Sequence, residues 1–146
     1  MSTETELVPS TRSVAEGWLS ALISGDLDTA VEYLAPDIEF INHTPVPGYN
    51  TDMVWIGTKH GRAEVLASVQ QFLELVEVQI EEVVALVVDG EDAIGVVHEV
   101  SRARKTGVTF DVEFCQRMTV RDGKIVRWRS FTDSAAIVAA LRGDAA

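Results

Sequence analysis

Two hydrophobic periods organise the chain, a helical one early and strict alternation later. Val14, Trp18, Ala21 and Leu22 recur at helical spacing behind Ser13 and Glu16, whose separation fits a capping box, and Gly25 suits the stop. Asp26 can cap a second short helix carrying Leu27, Ala30, Val31 and Leu34, which Pro36 ends. Residues 37–43 then alternate, with Ile38, Phe40 and Asn42 on one face and Glu39, Ile41 and His43 on the other. Residues 43–60 hold Pro45, Pro47, Gly48, Tyr49, Met53 and Trp55, too long and too aromatic for a plain connector, and are expected to form a lid or rim. Val65, Leu66, Val69, Phe72, Leu73 and Val76 predict a third amphipathic helix over 61–76.

Four β-rich segments follow, at about 79–88, 93–103, 109–120 and 124–131, parted by Asp89-Gly90, by residues 105–107 and by residues 121–123. They read as consecutive hairpins. In the third of them Phe110, Val112, Phe114, Gln116 and Met118 share one face, apolar except for Gln116. A three-residue turn over 121–123 would set Gln116 opposite Trp128 and Phe114 opposite Ser130, with Trp128 and Ser130 inside. Asp133 or Ser134 caps a last helix over 135–141. Helices first and antiparallel strands after predict an α+β fold, a curved sheet wrapped by helices around a conical pocket.

The inner face offers few polar groups: Asn42, Gln116, Ser130 and one of His98 and Glu99. Neighbouring strand residues point to opposite faces, so His98 and Glu99 cannot both look inward, and both stay candidate catalytic residues alongside Asn42. A four-residue loop over 105–108 would place Glu99 opposite Phe114, on the cavity side. A shifted loop selects His98 instead. A carboxyl in an apolar pocket has its charged form disfavoured and becomes a usable acid or base near neutral pH. Trp18, Phe40, Phe114, Trp128 and Tyr49 are the expected apolar walls for a ligand, with Gln116 and Ser130 as its hydrogen-bonding partners.

Composition narrows the partners. With 146 residues the chain is expected to be one domain over 11–146 behind a flexible tail of residues 1–10. A formal net charge of −11 argues against nucleic acid and anionic membrane surfaces. The single cysteine, Cys115, and the absence of a leader or long apolar run predict a cytoplasmic protein. No pair among the three histidines has ligand spacing, and no Gly-rich phosphate loop, Gly-x-Ser-x-Gly elbow or Cys-x-x-Cys occurs, so neither metal nor cofactor is expected.

The stretches WLSALISGDLDTAVEYLAPDIEFIN, KTG and VRDGKIVRWRSFTD resemble the nuclear transport factor 2-like superfamily, in its SnoaL-like, ketosteroid isomerase and limonene-1,2-epoxide hydrolase branches, over about residues 13–142. The resemblance implies a homodimer, with the outer sheet face around Arg117, Arg127 and Arg129 as the expected contact. It also implies an apolar ligand such as a polyketide, terpenoid or steroid. The isomerase branch has its aspartate base where this chain has Asn42, and its oxyanion tyrosine where it has Trp18. The hydrolase branch's site falls on Phe40, Asn42, Val97, Glu99 and Ser130, and the cyclase branch's histidine and aspartate fall on Gln116 and Ser130. The match places Glu99 inward. The chain is therefore expected to be a cofactor-free acid/base enzyme, or alternatively a binding module that has kept the pocket and lost the acids.

Overall fold

The computed structural model describes residues 8–144. Two helices open the fold, α1 (Thr11–Ile23) and α2 (Leu27–Glu32), followed by β1 (Leu34–Asn42), β2 (Gly57–His60) and α3 (Arg62–Leu75). A meander of β3 (Val76–Asp89), β4 (Asp92–Ala103), β5 (Thr109–Arg121) and β6 (Lys124–Phe131) leads to α4 (Ser134–Arg142). All six strands form one open sheet in the order β2-β1-β6-β5-β4-β3, mixed because β1 runs parallel to β6 while the other pairs are antiparallel. The α+β expectation holds, with the helices against the curved sheet. Among the described residues no helix is long and apolar enough to cross a membrane.

Local chemistry accounts for most boundaries. Ser10, not Ser13, caps α1 by accepting from the Ser13 N–H, so the helix begins earlier than expected and Ser13 lies within its first turn. The expected tail thus ends in a structured cap, and its residues 1–7 lie outside the described residues. Asp26 and Asp133 cap α2 and α4 through the Thr29 and Ala136 N–H groups. Pro36 lies where the β1–β6 register shifts between Leu34 and Glu39, which suits a residue with no N–H to give. The Leu34 carbonyl there accepts two bonds from the Arg62 guanidinium, at 2.9 and 2.6 Å. That contact ties α3 to the first strand.

Both hairpin registers differ from expectation by two residues. The β5–β6 turn has only Asp122 and Gly123 between Arg121 and Lys124, both at positive φ, as a two-residue hairpin requires. A register shift follows at once between Thr119 and Val120, so Met118 faces Trp128 and Gln116 faces Ser130. At the other hairpin Glu99 faces Val112 rather than Phe114, and Ser101 faces Phe110. Slippage by two residues preserves the face each side chain takes. Glu99, Gln116, Trp128 and Ser130 are accordingly all buried.

Apolar side chains gather into two buried clusters. One joins α1 and α2 to the sheet through Val14, Trp18, Leu19, Leu34, Ile38, Phe40, Met118, Ile125 and Trp128. The other joins the rim and α4 to the far ends of β4 and β5 through Met53, Trp55, Val76, Phe110, Val112 and Ile137. A cavity of about 230 Å³ draws its walls from both.

Candidate functional site

The cavity is bounded by α1, the rim segment, α3, α4 and the inner face of the sheet. Its apolar walls include six aromatic rings, those of Trp18, Phe40, Trp55, Phe72, Phe114 and Trp128. Phe40 and Trp128 stack in parallel with centroids 3.7 Å apart, and Trp18 meets Phe40 edge-on at 6.3 Å. Trp55 meets Phe72 edge-on at 4.9 Å, which fixes the rim against α3. The rim owes its order to Asn50, whose side chain accepts from the Val46 N–H and donates to the Thr44 carbonyl. Arg142 of α4 clamps it from outside through Asp52 and the Tyr49 carbonyl. Tyr49 itself is exposed and lines no part of the cavity; Met53 and Trp55 take the place expected of it.

Glu99 faces the cavity and is 5 % exposed. Burial pushes its carboxyl above the ordinary value, and the Ser101 hydroxyl, donating at 2.6 Å, partly offsets the rise. Its antiparallel partner on β3 is Glu81, which also lines the cavity. Burial, reinforced by the charge of Glu99, pushes Glu81 up to about 7. Both carboxyls are thus pushed upward, and Glu81 holds its proton toward neutrality.

His98, the other candidate of the pair, does not line the cavity. It projects from the opposite face, where its two ring nitrogens meet Glu82 at 3.0 Å and Asp111 at 2.8 Å. These bonds raise its pKa, Glu82 contributing most. It belongs to the outer surface rather than to the site. His43, by contrast, lines the cavity although alternation put it on the other face of β1. Its left-handed backbone, φ 58°, breaks the alternation at the strand's end. Burial, with a lesser effect from Arg129, lowers its pKa and favours the neutral imidazole.

Asn42, Ser130 and Gln116 lie side by side on β1, β6 and β5 and all border the cavity. The Gln116 carbonyl oxygen accepts from both indole N–H groups, Trp18 at 2.9 Å and Trp128 at 2.8 Å. Gly95 stands next to Gln116 on β4, and a Cβ there would come within 3.0 Å of Leu19, so the missing side chain lets α1 approach closely enough for Trp18 to reach. The arrangement combines two facing carboxyls with a small set of polar groups in a largely apolar chamber, the usual make-up of a small-molecule site.

Structural comparison places this architecture among known chains. A nuclear transport factor 2-like protein from Burkholderia xenovorans is 26% identical, with a TM-score of 0.76 over 92% of this chain and 98% of its own. A protein named as a SnoaL-like polyketide cyclase from Mesorhizobium loti is 22% identical, with a TM-score of 0.69 over 84% and 99%. One named as an isomerase from Rhodopseudomonas palustris is 16% identical, with a TM-score of 0.72 over 94% and 99%. The latter two likenesses are of fold. No curated protein matches the chain. The SnoaL-like domain family matches across residues 15–128, most of the length, and the chain belongs to that family.

Proposed function

We propose that the chain is a cytoplasmic, homodimeric, cofactor-free enzyme of isomerase, cyclase or epoxide-hydrolase type, acting by acid/base chemistry on an apolar cyclic small molecule such as a polyketide, terpenoid or steroid. The observation that carries this reading is the facing pair of Glu99 and Glu81 in the wall of an aromatic cavity. Glu99 is the base, since the Ser101 hydroxyl donates to it and supports its charged form. Glu81, still protonated up to about pH 7, is the acid that returns a proton to the developing product. Isomerase and cyclase names among chains of the same fold are in keeping with this.

A substrate-independent probe tests it. 5-Nitrobenzisoxazole is a flat apolar ring whose C–H proton a desolvated carboxylate removes as the N–O bond breaks, giving a cyanophenolate with no cofactor or added acid. Catalysed ring opening is expected, and Glu99→Gln should slow it by about 10²-fold or more. Ring opening that survives the substitution would sink the assignment of Glu99. Asn42, Gln116 and Ser130 stand where the resembled enzymes keep acids or histidines, which favours a binding module as the second reading. Tight binding of the probe without ring opening would select that one.

A further inference from the structure

We propose that the Gln116 end of the cavity is a receptor for a hydrogen-bond-accepting oxygen of the ligand, of carbonyl or quinone type, with the Gln116 amino group as its fixed donor. The inference rests on the reading of the cavity as a ligand site. An amide can present either end to its surroundings, but two indole N–H groups can only donate. Their convergence on one oxygen therefore assigns the flip of Gln116. The amino end is left without a hydrogen-bond partner among the described residues, although the side chain is only 1% exposed and borders the cavity. The amino group keeps a little exposure, and the space it borders is the cavity, so an oxygen bound there can accept from it.

The surroundings point the same way. Ser130 sits beside Gln116 in register and offers a hydroxyl that can adapt to either role, with Asn42 beyond it. The Thr132 hydroxyl, also at the cavity, is buried with no partner. Neutral donors gather on this side, no lysine or arginine among the described residues lines the cavity, and burial favours the neutral form of His43 there, so a neutral oxygen suits the site better than a carboxylate. Glu99 and Glu81 lie at the level of Val112, four residues along β5 from Gln116, so roughly 13 Å of strand separates the two polar ends. A ligand spanning them carries its acceptor oxygen at one end, an apolar ring against the Phe40–Trp128 stack, and its reactive position toward the glutamates. Trp18 and Trp128 are positioning residues for the amide.

Matched bicyclic ligands that differ by one carbonyl, 1-tetralone and tetralin, test this on the full chain by NMR titration. In the wild type the Gln116 side-chain NH₂ resonances are expected to move with tetralone and stay still with tetralin. Gln116→Met removes donor and acceptor without adding charge, and Gln116→Leu does the same with a branched side chain. Each should lower the tetralone-to-tetralin affinity ratio about three- to tenfold, the worth of one hydrogen bond, and a general change in cavity shape cancels in the ratio. A ratio unchanged in both variants, or unmoved NH₂ resonances with tetralone bound, would overturn the proposal and leave the apolar cavity standing. Failure of both ligands to bind the wild type would bring down the proposal together with the ligand-site reading.

Discussion

Glu81 and Glu99 meet across neighbouring strands, so the proton on one depends on the charge of the other. Below the ordinary glutamate value both folded and unfolded chains keep the Glu81 proton, and nothing changes with pH. Between about 4.5 and about 7 the unfolded chain loses it while the folded chain retains it, so stability falls as pH rises through that window and the loss is complete above it. Denaturation midpoints of Glu81→Gln measured from about pH 5 to about pH 8 should be flatter than those of the wild type. Parallel curves would mean that Glu81 titrates normally. The histidines offer a second test at this scale, because His98 is raised by Glu82 and Asp111 while His43 is lowered by burial. Their NMR titrations should fall on opposite sides of the ordinary value of 6.5. The His98 contribution to stability is fully present below that value and is lost as pH rises through its raised folded pKa. Two coincident midpoints would contradict the assignment of His98 to a carboxylate-flanked outer face.

At the scale of elements, Trp128 joins three strands: it stacks on Phe40 of β1, donates to Gln116 of β5 and stands on β6 itself. Trp128→Ala should cost about 3 to 5 kcal/mol in chemical denaturation, since a ring 4% exposed leaves a large void. A loss below about 1 kcal/mol would mean that the stack is not holding the sheet. The pattern of β5 showed which of its residues face inward, because alternation over thirteen residues with one buried face is hard to mistake. Register was harder to read, since loop length depends on whether Asp122 adopts a left-handed conformation, which its residue type permits without requiring. β2 was hidden in the rim because four residues are too few for a period. Glu81 was missed for a physical reason: β3 is apolar on both faces and carries register shifts at Val78/Ile80 and Val83/Ala85, so Glu81 and Glu82 cannot be told apart by alternation. Pairing with Glu99 is what distinguishes them. His43 was missed because its left-handed residue breaks the rule used to place it.

On the scale of the whole molecule, association is the open physical question. Two of the arginines expected to form an interface are paired within the chain, Arg117 with Asp92 and Arg127 with Glu39, which leaves them less to offer a second copy. Apolar exposure lies elsewhere. β3 is a terminal strand of the sheet, and Ile80, Val83, Val84 and Val87 along it are exposed. A long edge strand of this kind needs cover. Light scattering at micromolar concentration is expected to return twice the 15.9 kDa chain mass. Two copies each carrying −11 repel, so added salt should strengthen the association. A monomer mass that salt does not alter would refute the dimer. The tryptophans have a practical consequence. The chain has three, Trp18, Trp55 and Trp128, and every one of them stands in the wall of the same cavity. Tryptophan fluorescence of this protein, excited selectively over tyrosine, is therefore an optical signal from its cavity, free of background from distant indoles. Any library of unlabelled compounds can be screened against it by emission, before a substrate is known.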